Sequence, residues 1–482
     1  MGGKEKELNK AAIVGVFWNF VQLFINRGFE FFLKLILAKI LIPEDFGIVG
    51  MALVFITFIQ VFNELGFSAA LIQRADEDLT ESHYHTVFWA NLIWALFIYL
   101  FIYFILTPLV VGFYNQPILN KIIPVIGIGI LLNPINIIHH AQLVRSLNFK
   151  RIALINNSST IISGIISIIL ALRGYGVWSL VLPSVFSYFV SIPLYFYTTK
   201  WIPKFIFCKK SFKDIFGFGI QVTGSNMLTT FVNQFDYLVV GKLLSAYTLG
   251  IYSLAFALTD TFRHQLMKII NSVMYPIYSK KKQDLQSLKE YYLSVVKYNS
   301  VVILPIMTFF VVFGEPFISS FFGEKWIDVV VPLKYLALSV SVHMIVNNIS
   351  PVLRGVGKPR LEVNNQLFKT VIYVPTIFLG TYFYGLVGTS IAILVNKFIL
   401  VVIDIFFLRK VIDIRYIEIF NSLKIAVIAC IIASLVSLGL YFFGLHFIIC
   451  AILLFLIYGV IILFLIREEL LLLYKGLMYK NN

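Results

Sequence analysis

The sequence predicts an all-α polytopic membrane protein of about fourteen transmembrane helices, and three observations predict it. Of the 482 residues, 59% are hydrophobic and 13% charged, with a mean hydropathy of +0.89, whereas soluble domains are about half apolar and a quarter charged. Apolar runs of about 18 or more residues, the length a helix needs to cross hydrocarbon, recur along nearly the whole chain. Lys and Arg collect in the short segments between those runs, as positive-inside sorting produces, so the net charge of +15 implies no nucleic-acid partner.

The first run, 11–38, is far longer than an h-region and lacks a small-residue cleavage site, so it reads as a retained helix. Spans at 46–68 and 86–111 follow, joined by an acidic loop from Arg74 to His85. Those at 122–142 and 152–172 flank Arg145, Lys150 and Arg151; 176–198 and 216–241 flank the basic stretch from Lys200 to Lys213. Next come 246–270 and 293–322, around Lys280, Lys281 and Lys282, and then 330–350 and 362–384, around Arg354, Lys358 and Arg360. The spans at 386–408, 421–443 and 447–466 complete the set, with Arg409 and Lys410 after the first of them. Pro134, Pro183 and Pro305 lie inside spans without breaking them, because neighbouring helices can satisfy the backbone groups a proline frees. With the N-terminus inside, about two dozen cations fall on cytoplasmic segments and about half a dozen outside. Both termini are therefore expected in the cytoplasm.

An internal repeat organises these helices. Residues 38–55 read AKILIPEDFGIVGMALVF and residues 241–258 read GKLLSAYTLGIYSLAFAL, so that without a gap Lys39 meets Lys242, Gly47 meets Gly250 and Ala52 meets Ala255. The offset equals six spans, so the second copy enters in the same orientation, a parallel repeat. The expected organisation is a six-helix lobe at 1–199, a basic cytoplasmic interfacial linker at 200–215, a second pseudo-symmetric six-helix lobe at 216–410, and two further helices with a tail at 411–482. The linker mixes Lys204, Lys209, Lys210 and Lys213 with Trp201, Phe205, Phe207 and Phe212, a composition suited to lying among lipid head groups.

The first span carries Asn19, Gln22, Asn26, Arg27, Glu30 and Lys34, which at 100° per residue fall within an arc of roughly 140°. Three central charges cost roughly 8–10 kcal/mol to insert, against roughly 9 returned by its apolar residues. Such a face should line protein or water rather than lipid. Arg27 and Glu30, or Glu30 and Lys34, have the spacing of structural ion pairs; the alternative is that they line a transport cavity, whose positive balance would suit an anionic substrate. The equivalent span of the second lobe places Asn226, Thr229, Thr230, Asn233 and Tyr237 on one face, flanked by Gln234 and Asp236, and Asn233 aligns with Glu30. Arg263 and Lys397 are further cavity candidates, with Lys369 behind them, while Lys268 can snorkel to the surface. Glu30 and Asp236 are the candidates for coupling transport to an ion.

Other signals point away from catalysis. The stretch Arg354-Gly355-Val356-Gly357-Lys358-Pro359 lacks the spacing and the hydroxyl residue of a phosphate-binding loop. Asp76-Glu77-Asp78 has the form used by metal-dependent glycosyltransferases but reads as a solvated loop, and Glu81, His83 and His85 lack a fuller ligand set. No cofactor or metal is implied. His139 and His140 have side chains that titrate near neutrality, and Cys430 and Cys450 read as small buried hydrophobes. A multispan glycosyltransferase would need a substantial exterior loop to hold its acceptor, and no outside segment of that kind is present.

The stretch LAKILIPEDFGIVGMALVF resembles the segment after the first helix of the polysaccharide flippases, the lipopolysaccharide-exporter or O-antigen type within the MOP exporter superfamily. ELGFSAALIQR at 64–74, TVFWANL at 86–92, QLVRSLNFKRIA at 142–153, GFGIQVTGSNML at 217–228 and FDYLVVGKLL at 235–244 continue it in order, and the resemblance fades over the last two helices. It implies a V-shaped two-lobe fold that flips oligosaccharides linked to undecaprenyl pyrophosphate across the bacterial cytoplasmic membrane by alternating access, with a polymerase and a chain-length regulator as partners. Arg27, Lys34, Arg263 and Lys397 would face the pyrophosphate, and asparagines the sugar hydroxyls. The related readings are a multidrug and toxin exporter or a lipid II flippase of the same superfamily.

Overall fold

In the computed structural model, which describes residues 2–63, 67–74, 76–346 and 348–478, the described residues form helices joined by short turns. They are α1 (Gly2–Ile40), α2 (Pro43–Asn63), α3 (Phe67–Gln73), α4 (Glu81–Phe101), α5 (Thr107–Tyr114), α6 (Leu119–Arg145), α7 (Phe149–Leu172) and α8 (Trp178–Thr199). There follow α9 (Lys209–Leu243), α10 (Ala246–Lys280), α11 (Leu285–Phe322), α12 (Val330–His343), α13 (Ile349–Gly355), α14 (Pro359–Arg409), α15 (Tyr416–Phe442) and α16 (Phe447–Met478). A π turn, Ile102–Leu106, joins α4 to α5.

Ten described helical segments are long and apolar enough to cross a membrane. One of them, α14, is two arms, because Gly385 takes φ 58° and ψ −142°, a conformation open to glycine. The chain folds back there: Thr381 Oγ1 lies 2.8 Å from Thr389 Oγ1, and Asn396 donates to Thr376 Oγ1 at 2.6 Å. Counting its arms separately and adding α1, α9 and α10, which run 39, 35 and 35 residues, is consistent with the fourteen that the sequence predicts. The bend falls between the predicted spans 362–384 and 386–408.

The span expected over 46–68 is described to Asn63 and again from Phe67, in α2 and α3, and its residues 64–66 lie outside the described ones. Arg145 caps α3, its guanidinium donating to the carbonyls of Leu71 at 2.7 Å and Arg74 at 2.6 Å, a cation at a helix C-terminus. One predicted span ends early. The helix expected over 330–350 stops at His343, and the chain turns before Asn348 and α13, in keeping with the turn preference of asparagine.

The prolines behave as expected. A proline frees the carbonyl four residues earlier, which in hydrocarbon needs another donor. The Ile130 carbonyl, freed by Pro134, accepts from Asn63 Nδ2 at 3.3 Å. That of Ser179, freed by Pro183, accepts from Ser167 Oγ at 2.5 Å. That of Val301, freed by Pro305, accepts from the Tyr458 hydroxyl at 2.8 Å. Each bond comes from a different helix, so each freed carbonyl ties two helices together.

The chain gathers into two compact units, Met1–Ser253 and Leu254–Asn482, divided within α10. In the first, the repeated glycines meet reciprocally. A Cβ on Gly47 would overlap the carbonyl oxygen of Ala246, and one on Gly250 would overlap that of Pro43. Pro43 and Ala246 are themselves equivalent under the repeat offset, so the two copies cross with matching residues in contact. Also in this unit, Phe29 and Leu33 of α1 pack over Gly164 of α7. In the second unit Tyr278, Tyr292, Leu353, Leu408 and Ile412 form the core between α10, α11, α13 and the second arm of α14. Outward-facing Val460, Leu463 and Phe464 on α16 suit a lipid environment.

Candidate functional site

On α1 the polar face is present. Arg27 Nη1 lies 2.6 Å from Glu30 Oε2, and both side chains remain nearly half exposed, at 47% and 46%. The pair is made within the helix, yet it is not packed away. Lys34 is half-buried one turn further on, and Asn26 keeps a buried Oδ1 without a hydrogen-bond partner. On α9, Asn233 is exposed, whereas Asp236 is buried and accepts hydrogen bonds from the Tyr252 hydroxyl and from the Tyr237 backbone N–H. The side chains of Asn19, Asn226 and Lys268 lie outside the described ones.

In the second unit Arg263 and Lys369 are paired. Arg263 lies 2.6 Å from Asp260, with side chains only 11% and 12% exposed. Lys369 lies 2.6 Å from Asp404, which Asn365 also meets at 2.6 Å, across the two arms of α14. Asp404 is 1% exposed. Lys397 is half-buried on the second arm. Sequence reasoning named the cations and passed over Asp260 and Asp404. The signals were there: Asp260 stands three residues before Arg263, the spacing of a helical pair, and Asp404 is a lone acid inside the run LVVIDIFFL.

The sequence reading also missed a polar recess inside the first unit. It measures about 410 Å³ and is walled by α6, α7 and α8, with Ser68 of α3 at one side. From α6 come Asn133, Asn136 and His140; from α7, Asn156 and Ser159; from α8, Ser187, Tyr188, Ser191 and Tyr195. Their spacing puts each set on one helix face. Asn136 Nδ2 donates to Ser191 Oγ at 2.8 Å, and the Tyr195 hydroxyl to Asn156 Oδ1 at 3.1 Å. A smaller recess of about 170 Å³ shares Asn133 and Tyr188 and adds Gln60 and Asn63 of α2. Neither is lined by Lys, Arg, Asp or Glu.

The motifs set aside in the sequence have packing roles. His83 Nδ1 accepts from the Thr80 backbone at the start of α4. His85 accepts from the Lys204 backbone N–H at 3.1 Å and stacks on Trp201. Trp201 donates to Glu81 at 3.2 Å, and Trp89 donates to the Lys204 carbonyl at 2.8 Å while stacking on Phe205. The stretch 200–208 is thus clamped along α4. His139 is buried and bonds Thr199 at 2.7 Å. No group of three residues that could hold a metal occurs among the described residues. Outside the spans, Cys208 is hydrogen-bonded by the backbone and then the hydroxyl of Ser211, which bring its thiol down to about 7.

The family model for polysaccharide biosynthesis proteins matches residues 36–331. The teichuronic acid biosynthesis protein TuaB of Bacillus subtilis (strain 168) is 28% identical over 307 residues, 63% of this chain and 63% of that protein. The chain thus covers less than two thirds of that relative's length. The succinoglycan biosynthesis transport protein ExoT of Rhizobium meliloti (strain 1021) is 26% identical over 72% of this chain and 70% of its own. The lipopolysaccharide biosynthesis protein WzxC of Escherichia coli (strain K12) is 22% identical over 84% and 82%. Among solved structures, the lipid II flippase MurJ in an inward closed conformation superimposes with a TM-score of 0.73 over 95% of this chain and 100% of its own, at 16% identity. An inward-facing multidrug resistance MATE family transporter of the MOP superfamily gives 0.63 over 82% and 98%, at 15% identity. The fold is the one these two share.

Proposed function

This chain belongs to the polysaccharide biosynthesis protein family, a multi-pass membrane protein with the fold of the MOP transporters, and from that premise we propose that it flips lipid-linked oligosaccharides. The cargo is an oligosaccharide repeat unit on undecaprenyl pyrophosphate, moved from the cytoplasmic to the outer leaflet of the bacterial cytoplasmic membrane for surface polysaccharide assembly, with both termini of the protein in the cytoplasm. A polymerase and a chain-length regulator take the product.

The observation that carries the reading is the pair Arg27–Glu30 on α1, which stays nearly half exposed in a helix read as crossing the membrane. Charges at that depth are costly against lipid and favour a water-filled path. A glycan needs such a path, since its hydroxyls lose their hydrogen bonds in hydrocarbon. Arg27 and Lys34 give the path a positive side for the pyrophosphate; Lys397 and Arg263 are the cationic candidates within the second unit, Arg263 being paired there with Asp260. Asn26, Asn226 and Asn233 supply amides. Glu30 and Asp236 carry the coupling ion: one charge crossing 100 mV supplies about 2.3 kcal/mol. Transport makes and breaks no covalent bond and proceeds by alternating access of two lobes.

Deletion in the native bacterium tests this. The expected result is loss of surface polymer with complete repeat units accumulating on the lipid carrier, read by mass spectrometry. Truncated or absent units would instead place the protein in assembly, and normal levels of both would point to another cargo. Arg27→Ala should abolish export while the protein still inserts.

A further inference from the structure

We propose that the recess between α6, α7 and α8 is a binding subsite for the uncharged sugar rings of the cargo, separate from the charged face of α1. The inference rests on the flippase reading and adds the part of the substrate this region takes.

The lining selects by chemistry. A cationic drug would need a carboxylate and a pyrophosphate would need lysines or arginines; the recess offers amides, hydroxyls, the His140 imidazole and the tyrosines at 188 and 195. Asparagine presents both a donor and an acceptor pair, and serine and tyrosine hydroxyls do either, which matches the mixed donor and acceptor pattern of a pyranose or an N-acetylated sugar. The aromatic ring of Tyr188 adds a flat face of the kind that covers the apolar side of a sugar ring. At about 410 Å³ the volume lies within the range of small-molecule sites, about 300–1,000 Å³.

Packing does not account for all of this polarity. In an apolar bundle polar side chains are costly unless they find partners. Those at positions such as Ser167 and Tyr458 answer prolines. Asn136 lines the recess, spends its donor on Ser191 and leaves its buried Oδ1 without a partner. Asn63, at the smaller recess, likewise uses its amide nitrogen and leaves its Oδ1 unpartnered. Unanswered acceptors on both sides of the shared residues Asn133 and Tyr188 mark the lining as facing a polar occupant, water in the resting protein and hydroxyl donors when cargo enters.

The test compares two probes on the purified full-length protein: undecaprenyl pyrophosphate without sugar, and the same lipid carrying the repeat unit, extracted from the deletion strain. Wild type should bind the glycosylated lipid about tenfold or more tightly than the bare one, the equivalent of one or two net hydrogen bonds. Asn136→Leu should erase that preference while keeping the affinity for bare lipid within about twofold. Tyr195→Phe, which removes one oxygen and keeps the ring, guards against misfolding and should reduce the preference in the same direction. A preference that survives both variants, or its absence in wild type, would overturn the subsite. Wild type binding neither probe would instead overturn the flippase reading beneath it.

Discussion

The recess of the first unit and the α14 hairpin of the second spend membrane-embedded polarity in opposite ways. In the hairpin the charges are paired: Lys369 and Asn365 meet Asp404 Oδ1, and Asn396 meets Thr376, while Asn365 Oδ1 and Asp404 Oδ2 keep no hydrogen-bond partner. The recess is lined by amides, hydroxyls and the His140 imidazole, with no Lys, Arg, Asp or Glu, and Asn136 keeps an unanswered acceptor. The difference teaches that an intramembrane charge is not by itself a sign of a binding site. Paired charges tie the two arms of the hairpin together, while the recess gathers amides and hydroxyls around open space.

The largest effect should come from breaking the closed region. Asp404→Leu leaves the Lys369 ammonium buried without its counter-ion and should cost about 3–5 kcal/mol, whereas Lys369→Met with Asp404→Leu should recover most of it, because a packed apolar pair replaces a buried ion pair at little cost. Melting of the purified protein distinguishes the two; equal losses in single and double variants would show that the pair is not the closed unit described. Gly250→Val comes next, since its side chain would meet the Pro43 carbonyl, with a loss of about 1–3 kcal/mol from overpacking. Gly47→Val should match it if the two copies of the repeat cross reciprocally.

Two deletions of a single hydroxyl sharpen the contrast. Tyr458→Phe removes the donor to the Val301 carbonyl and should cost about 1 kcal/mol. Ser187→Ala, in the recess, removes a hydroxyl that bonds only within its own helix, to the Ser184 carbonyl; it should change melting by less than about 0.5 kcal/mol while weakening the preference for glycosylated lipid. The smallest effect is a titration. The Ser211 bonds hold the Cys208 thiol at about 7, below its ordinary value, so its thiolate persists at neutral pH and is lost as pH falls through about 7. Maleimide labelling should follow that midpoint, and Ser211→Ala should move it upward.

Much of the fold was legible because the bilayer constrains it so tightly. Apolar runs located the spans, the bend at Gly385 fell between two of them, and Pro134, Pro183 and Pro305 were read as tolerated for the reason the structure shows. The repeat was legible because Gly47 and Gly250 are held by contact, which constrains identity more than a lipid-facing leucine is constrained. The break after His343 was hidden because the hydropathy of the run continues past it, and the capping of α3 by Arg145 is a contact between residues more than seventy positions apart.

Of the site, the charges stood out and the neutral groups did not. Arg27, Glu30 and Lys34 are conspicuous in an apolar helix, while Asn133, Asn136 and His140 are spread over about two turns, and nothing in one helix reveals what α7 and α8 bring opposite them. Asp404 was overlooked because its partners lie on the other arm of the hairpin, thirty-five and thirty-nine positions away in the chain. Pairing across helices decides whether a polar residue is closed or open, and sequence order does not contain it.

Reconstitution tests the central claim most directly. Proteoliposomes loaded on one leaflet with undecaprenyl-pyrophosphate oligosaccharide are assayed for sugar reaching the other leaflet, by its release with an added glycosidase. The account predicts that wild type exposes the sugar well above protein-free vesicles and that Arg27→Ala, inserted equally well, does not. Equal exposure in protein-free vesicles, or undiminished exposure with Arg27→Ala, would contradict it.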